Sequence, residues 1–371
     1  MLESASKIFN GPDGPVMVAF SEATREQRVQ CSKLAAVTFG NPLSEADYLE
    51  RDAYLGQRLL TRNNGWRYWC LYRVDNPNQI FATCKTIRRD ILVRDASGVH
   101  KEPGFCLASV VTDFRYRRHG LASLLLTRVA EWLDGPGNAA ASMLYTSIGN
   151  AWQFYVDRGW KMQRAFQSTL SWRHIASSDR MSLPITRALT RKDISSLCER
   201  DVEDIETKFE KLAVGSNEIH MAVVPTEEII SWLHDRAVFT SVKISGQVPQ
   251  SHGRLCESAD VWLYWFHDFR KQQLAVQRVG GHMEESDLQT AAIARLLLDA
   301  LEEASKWNLA KVVVWNPSSG LTCAMKILEE GFGVEVETEE RIGRSIPSVR
   351  WKGSNETQAI TVQLNEFYAW S

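Results

Sequence analysis

The chain has 371 residues, which at roughly 150 residues per domain leaves room for two. It is 44% hydrophobic and 24% charged with a formal net charge of -2, so it has no general attraction for nucleic acid or anionic membrane, and any basic site must be local. No apolar run approaches the ~20 residues of a membrane span, and the start, MLESASKIFNGPDGP, has no signal-peptide core, so a cytoplasmic protein is expected.

Residues 24–38 and 44–60 predict two amphipathic helices, parted at Gly40-Asn41-Pro42. WRYWCLYRV (66–74) alternates as a strand, 75–78 form a turn, and 79–93 return as a second strand. Gly98 and Pro103-Gly104 mark loops, and FCLASVV (105–111) is the apolar run of a buried strand. A helix starts at Gly120, with Leu121, Leu124, Leu125, Val129, Trp132 and Leu133 on one face, and ends near Asp134. A strand (141–148), a short helix ending at Gly159 and a last strand (164–172) complete this half. The polar segment 175–185 is the expected boundary, giving domains 1–175 and 186–371. Beyond it a hairpin (259–281, turning at His267-Asp268), a helix (288–307), a strand (309–317) and a helix (321–331) repeat the order strand, helix, strand, helix. The fold class is therefore α/β, followed by a related second domain; the family resemblance given below implies a mixed central sheet with flanking helices. The seven cysteines are scattered, odd in number and form no CxxC pair, so reduced thiols are expected, with neither a disulfide frame nor a metal site.

The stretch FRYRRHGLASLLLTR (114–128) carries the chemistry. Its basic residues and Gly120 sit where a helix begins, and a helix N-terminus already has unpaired N–H groups and a partial positive charge. More cations there are destabilising unless an anion binds. In the second half, Gly280-Gly281-His282 is followed by Glu284 and Glu285, which would repel a phosphate. The second domain thus reads as the same architecture with its anion site lost.

Arg117-Arg118-His119-Gly120-Leu121-Ala122 between a strand and a helix resembles the acetyl-CoA-binding loop of the GCN5-related N-acetyltransferases. The resemblance implies that Arg117, Arg118, His119, Gly120, Leu121 and Ala122 hold the pyrophosphate. It implies that Val110, Val111 and Thr112, on a strand splayed from its neighbour, pair with the pantetheine arm, and that an N–H near Val110 or Val111 polarises the thioester carbonyl. Asn150 would bind the cofactor as well. Tyr155 stands where the family often has the acid that protonates the departing thiolate; a core aromatic is the alternative reading. Phe114 stands where the family usually has proline. ASMLYTSIG, VVVWNP, RSIPSVRW, NEFYAWS and NPLSEADYLERDAYLG together look like the fungal lysine N6-acetyltransferase family, with Ser147 where an acidic residue is expected.

That resemblance implies an acetyl-CoA-dependent N-acetyltransferase acting on a small amine by direct attack on the thioester, with the lysine side-chain amine the first acceptor. Another amine, such as a polyamine or a secondary-metabolite intermediate, or a non-catalytic CoA-binding sensor, are the alternatives. Neither a nucleic-acid nor a membrane partner is expected. Glu50, Asp52 and Glu366 are candidate bases. For the aromatic end of the chain two readings stand: an apolar tail pinned to its domain, or one entering a cleft so that Tyr368, Trp370 and the Ser371 carboxylate meet the acceptor. Trp262, Tyr264 and Trp265 alternate as in a strand, one face being core.

Overall fold

The computed structural model describes residues 7–11, 14–146, 151–172, 182–281, 286–352 and 359–370. The chain divides into two compact units: residues 1–91, 101–163 and 343–358, and residues 92–100, 164–342 and 359–371.

Unit 1 is built on strands β1 (Lys7–Gly11), β2 (Gly14–Glu22), β3 (Trp66–Arg73), β4 (Asn76–Asp95), β5 (Gly98–Thr112), β6 (Ala141–Thr146), β7 (Lys161–Met162) and β16 (Ile346–Trp351), in the order β1-β2-β3-β4-β5-β6-β16-β7. Its helices are α1 (Arg25–Phe39), α2 (Glu45–Leu55), α3 (Leu121–Asp134) and α4 (Ala151–Val156). The β5–β6 ladder is parallel, from Gly104↔Ala141 to Leu107↔Leu144, and α3 is the crossover that a parallel pair requires. The buried stripe of α3 is Leu121, Leu125, Leu126, Val129, Trp132 and Leu133; Leu126 takes the place expected of Leu124, which is half-buried. It closes over Leu71, Phe105, Leu107 and Leu144 of the sheet.

Unit 2 contains β8 (Phe166–Trp172), β9 (Arg187–Ala188), α5 (Arg191–Glu210), β10 (Glu218–Val223), α6 (Glu227–Ser245), β11 (Gly253–Cys256), β12 (Val261–Asp268), β13 (Gln273–Gly281), α7 (Asp287–Lys306), β14 (Lys311–Trp315), α8 (Ser319–Gly331), β15 (Val334–Glu340) and β17 (Ala359–Val362). The sheet order is β15-β8-β14-β13-β12-β11-β9, with β17 parallel to β10 apart from it. The β13–β14 pair is parallel, with α7 as its crossover, so the plan of unit 1 recurs. Ala292, Ile293, Leu296, Leu297, Ala300, Leu301 and Ala304 of α7 meet Leu263, Val276, Val312 and Val314 in the core.

Several expectations are corrected. The strand expected to end the first domain, β8, lies between β14 and β15 in unit 2, where Leu170 is fully buried with Val312 and Val334. In unit 1 the corresponding place beside β6 is filled by β16 from near the chain's end, with Ile346 and Val349 buried. The units therefore exchange segments and do not follow the expected boundaries at 175 and 186; residues 173–181 lie outside the described set. Pro103-Gly104 is no loop but part of β5, Gly104 pairing with Ala141; glycine is needed there because a Cβ would come within 2.4 Å of the Ile91 side chain. The unit 2 hairpin turns after Asp268, so His267 and Asp268 are buried strand residues. Trp262, Tyr264 and Trp265 are all buried, so neither face of that strand is open there. Helices α5 and α6 were not expected at all.

Candidate functional site

The β5–β6 ladder stops at Leu107↔Leu144, while β5 runs on to Thr112 and β6 to Thr146. The two strands thus form a fork. Ser109, just past its root, has φ 52°, a rare mid-strand value for a residue with a side chain and one that re-aims the backbone. Ala108, Ser109, Val110 and Thr112 are half-buried although β5 is a central strand, and Val111 is buried.

After Thr112, Asp113 accepts the Arg115 N–H at 3.0 Å and its guanidinium at 3.2 and 2.7 Å. Burial works to raise the Asp113 carboxyl, but Arg115 outweighs it and holds the group below the usual range. Phe114, at the position the resemblance gives to proline, is 72% exposed. Arg117 donates from Nε to the Thr112 carbonyl at 3.4 Å, tying the loop back to the fork. Arg118 (φ 69°) and Gly120 (φ 75°) are both left-handed. Gly120 caps α3 with no side-chain hydrogen bond, and a Cβ built on it would meet nothing within 4 Å. The first helical bond runs from Leu124 N–H to Gly120 O at 3.0 Å, so the N–H groups of Leu121, Ala122 and Ser123 precede it. No acidic residue lies in this first turn, while Arg117, Arg118 and His119 are exposed beside it. Ala122 is half-buried, and the buried Leu121 side chain anchors the turn. An uncapped helix start with cations around it and open space above its glycine fits a phosphate dianion.

Tyr155 lies on α4, half-buried against the unit 1 core, and burial pushes its phenol up to about 12. Arg158, missed in the sequence reading, donates to Ser123 Oγ in the first turn of α3 at 2.5 Å, with its guanidinium 3.9 Å from the Phe154 ring centre. It joins the end of α4 to the start of α3; an arginine three positions after Tyr155 was the available signal. Asn150 and Ser147 lie outside the described residues.

Of the candidate bases, Glu50 is exposed. Asp52 is buried and accepts from Lys85 Nζ at 2.7 Å, Ser32 at 2.8 Å and Tyr68 at 3.2 Å. Burial works to raise its carboxyl, but Lys85 and then Arg51 outweigh burial and lower it. That makes it a structural anion.

Unit 2 has the same fork, but filled. Its parallel ladder ends at Val276↔Val314. Beyond it, Arg278 is buried between Asp201 (2.8 Å) and Glu366 (2.5 Å). Burial raises the Glu366 carboxyl, against the pull of Arg278 and of the Val279 N–H that it accepts. The Asn316 side chain donates to Asn365 O, and the Phe367 ring lies 4.6 Å from Trp315. Tyr368 is fully buried, and its hydroxyl donates to the Val223 carbonyl at 2.6 Å, which leaves it no face for an acceptor. Trp370 is half-buried against Phe367 and Arg236, and Ser371 lies outside the described residues. The tail is pinned within its own unit. Val279 stands three residues past the last ladder pair (279 against 276), as Val110 does (110 against 107). Among the described residues no group of three or more His, Cys, Asp or Glu is placed to hold a metal ion, and no helix is long and apolar enough to cross a membrane.

A family model described as the LYC1 GNAT-like C-terminal domain matches residues 170–371, more than half of the chain. The chain belongs to that family. It is thereby a member of the GNAT superfamily, the GCN5-related N-acetyltransferases. Its fold is similar to a GCN5-related N-acetyltransferase from Kribbella flavida, with TM-score 0.53 and 17% identity over 90% of this chain and 71% of that one. It is similar to a probable N-acyltransferase from Enterococcus faecalis V583, with TM-score 0.55 and 11% identity over 90% and 72%. A GCN5-related N-acetyltransferase from Anabaena variabilis matches with TM-score 0.53 and 10% identity over 90% and 72%. At these identities the likeness shows the GNAT fold. No curated protein matches the chain in sequence.

Proposed function

We propose that this GNAT protein transfers the acetyl group of acetyl-CoA to a free amine, the side-chain amine of lysine being the first acceptor, and that unit 1 carries the site. The observation that carries the reading is the open fork of β5 and β6 running into an uncapped, cation-flanked start of α3. In this reading the N–H groups of the Gly120–Ala122 turn, with Arg117, Arg118 and His119, bind the pyrophosphate. Val110, Val111 and Thr112 pair with the pantetheine arm, and Asn150 adds a cofactor contact. Unit 2 is the degenerate copy. There the Glu366 carboxylate accepts the Val279 N–H, which supports assigning the equivalent Val110 N–H to an oxygen that becomes anionic.

The neutral amine attacks the thioester carbonyl; a C–N bond forms and the C–S bond breaks. Making a lysine amine neutral at pH 7 costs about 4.6 kcal/mol, and its proton has to leave as the amide forms. A phenol at about 12 stays protonated, so Tyr155 supports the departing thiolate by donating a hydrogen bond; full transfer to a thiolate of pKa about 8.5 would run uphill.

The test is thiol release from acetyl-CoA with L-lysine, L-ornithine, diamines, aminoglycosides and a histone peptide offered separately, with products identified by mass spectrometry. N6-acetyl-lysine is expected. Turnover of another amine alone would move the acceptor, and tight CoA binding with no turnover of any amine would replace the enzyme by a CoA sensor.

A further inference from the structure

Arg158 follows α4 and is fixed from both sides. Its N–H and that of Trp160 bond the Tyr155 carbonyl at 3.0 and 3.1 Å, and the Trp160 side chain is fully buried. The guanidinium lies 3.9 Å from the Phe154 ring centre. Nη1 donates to the Phe154 carbonyl, Nη2 donates to Ser123 Oγ at 2.5 Å, and Nε is buried with no partner. Among the described residues no carboxylate pairs with this cation; the neighbouring Asp157 accepts from Gln153 at 2.8 Å instead. A tie between two helices needs no charge. A cation brought to the positive end of α3 works against the helix dipole unless an anion sits there too.

Ser123 is the third helical residue of α3, and a side chain at that position reaches back over the helix start. Its oxygen takes the Arg158 bond, and a hydroxyl that accepts still has one proton to give. In a helix that proton ordinarily goes to a carbonyl of the preceding turn. Among the described residues no group accepts it. Ser123 thus has two unspent donors at one place, its O–H and its backbone N–H, which precedes the first helical bond. Donation from a guanidinium polarises the hydroxyl and strengthens it as a donor. Donors converging at an uncapped, cation-flanked helix start suit a phosphate oxygen.

We propose that Ser123 donates its hydroxyl hydrogen to the pyrophosphate of the acetyl donor, and that Arg158 is the positioning residue that holds the Ser123 oxygen so that only the proton is left to give. This rests on the acetyl-transfer reading above. It adds that the pyrophosphate is gripped from the end of α4 as well as from the loop before Gly120.

The experiment compares acetyl-CoA with S-acetylpantetheine, which has the same thioester and arm but no pyrophosphate, using the amine that the panel above selects. Wild type, Ser123→Ala, Ser123→Thr, Arg158→Gln and the Ser123→Ala/Arg158→Gln double variant are assayed. Melting temperatures and the affinities for CoA and pantetheine are measured alongside. The readout is the ratio of kcat/KM for the two donors, because a general fault in folding or in α4 lowers both and leaves the ratio alone. Ser123→Ala and Arg158→Gln should each lower that ratio by about tenfold or more, through KM for acetyl-CoA. Ser123→Thr, which keeps the hydroxyl, should keep most of it. The double variant should fall no more than about twofold below the worse single, since the two residues act through one hydrogen bond. Single variants that weaken both donors together overturn the proposal, and so do effects that multiply in the double variant. A wild type that binds CoA but acetylates no amine sinks the acetyl-transfer reading, and the ratio of CoA to pantetheine affinity then decides the Ser123–Arg158 assignment by itself. A wild type that binds no CoA sinks both.

Discussion

Lowering the pH from 7.5 to 5 should destabilise unit 2 through its buried histidines. The rings of His234 and His252 stack at 4.3 Å, and His267 stands edge-on to His252 at 5.7 Å. His234 Nε2 meets Gln277 Oε1 at 2.6 Å and His267 Nε2 meets Glu303 at 3.1 Å, while all three Nδ1 atoms are buried with no partner. Burial pushes His234 down to about 3 and His252 well below its usual range. Burial also lowers His267, outweighing Glu303. Below about pH 6.5 the unfolded chain takes up protons that the native chain refuses, so stability falls as pH falls. Each unit below 6.5 is about 1.4 kcal/mol per histidine, which is about 2 kcal/mol for His234 at pH 5. His252 and His267 act in the same direction. For a unit of roughly 200 residues the His234 share alone lowers the melting temperature by about 4–8 °C. Asp52 and Asp193, whose carboxyls lie below their ordinary values, lose their contribution only at lower pH, beneath this window. Calorimetry at constant ionic strength measures the shift, and His234→Gln with His252→Phe should flatten it. An unchanged melting temperature between pH 7.5 and 5, or an unchanged slope in the double variant, would refute the reasoning.

Three further outcomes follow from the unit 1 geometry. Gly120→Val places a β-branched residue at φ 75° and a side chain in the space above the helix start; about 1–2 kcal/mol of stability and at least tenfold in CoA affinity should be lost, read by thermal melts and calorimetry. Asp52→Asn leaves Lys85 buried without its anion and should cost about 3–5 kcal/mol in urea unfolding, most of it recovered when Lys85→Met is added. Tyr155→Phe should lower kcat by about tenfold or more with KM for acetyl-CoA within about twofold, and the wild-type rate should show no Tyr155 limb below about pH 11.

What the sequence showed was what local pattern can show. The α3 stripe recurs at helical spacing, so the helix was legible, and with it the place of Gly120 and the arginines before it at an uncapped helix start. Partner choice was not. β8 and β16 are both short strands with no distinguishing pattern, and nothing in either says which sheet it joins, because the partner is a non-local matter of which edge is open. Pro103-Gly104 carries a turn signal, yet here the glycine serves the close approach of Ile91. Arg89 sits in a run with Arg88 and Asp90 that reads as solvated charge; only burial sets it apart from exposed Arg88. Tyr368 stands out in sequence as part of an aromatic chain end and Glu366 as a candidate base, but that this segment fills the fork of unit 2 is legible only from the register of β13 and β14.

The central claim is that the fork and helix start of unit 1 hold the acetyl donor. Backbone hydrogen exchange with and without CoA tests it most directly. The account predicts slowed exchange at residues 108–112 and 120–124 on adding CoA, with no change around 276–281, where Glu366 already occupies the fork. Protection at 276–281 in place of unit 1, or none in either, would contradict it.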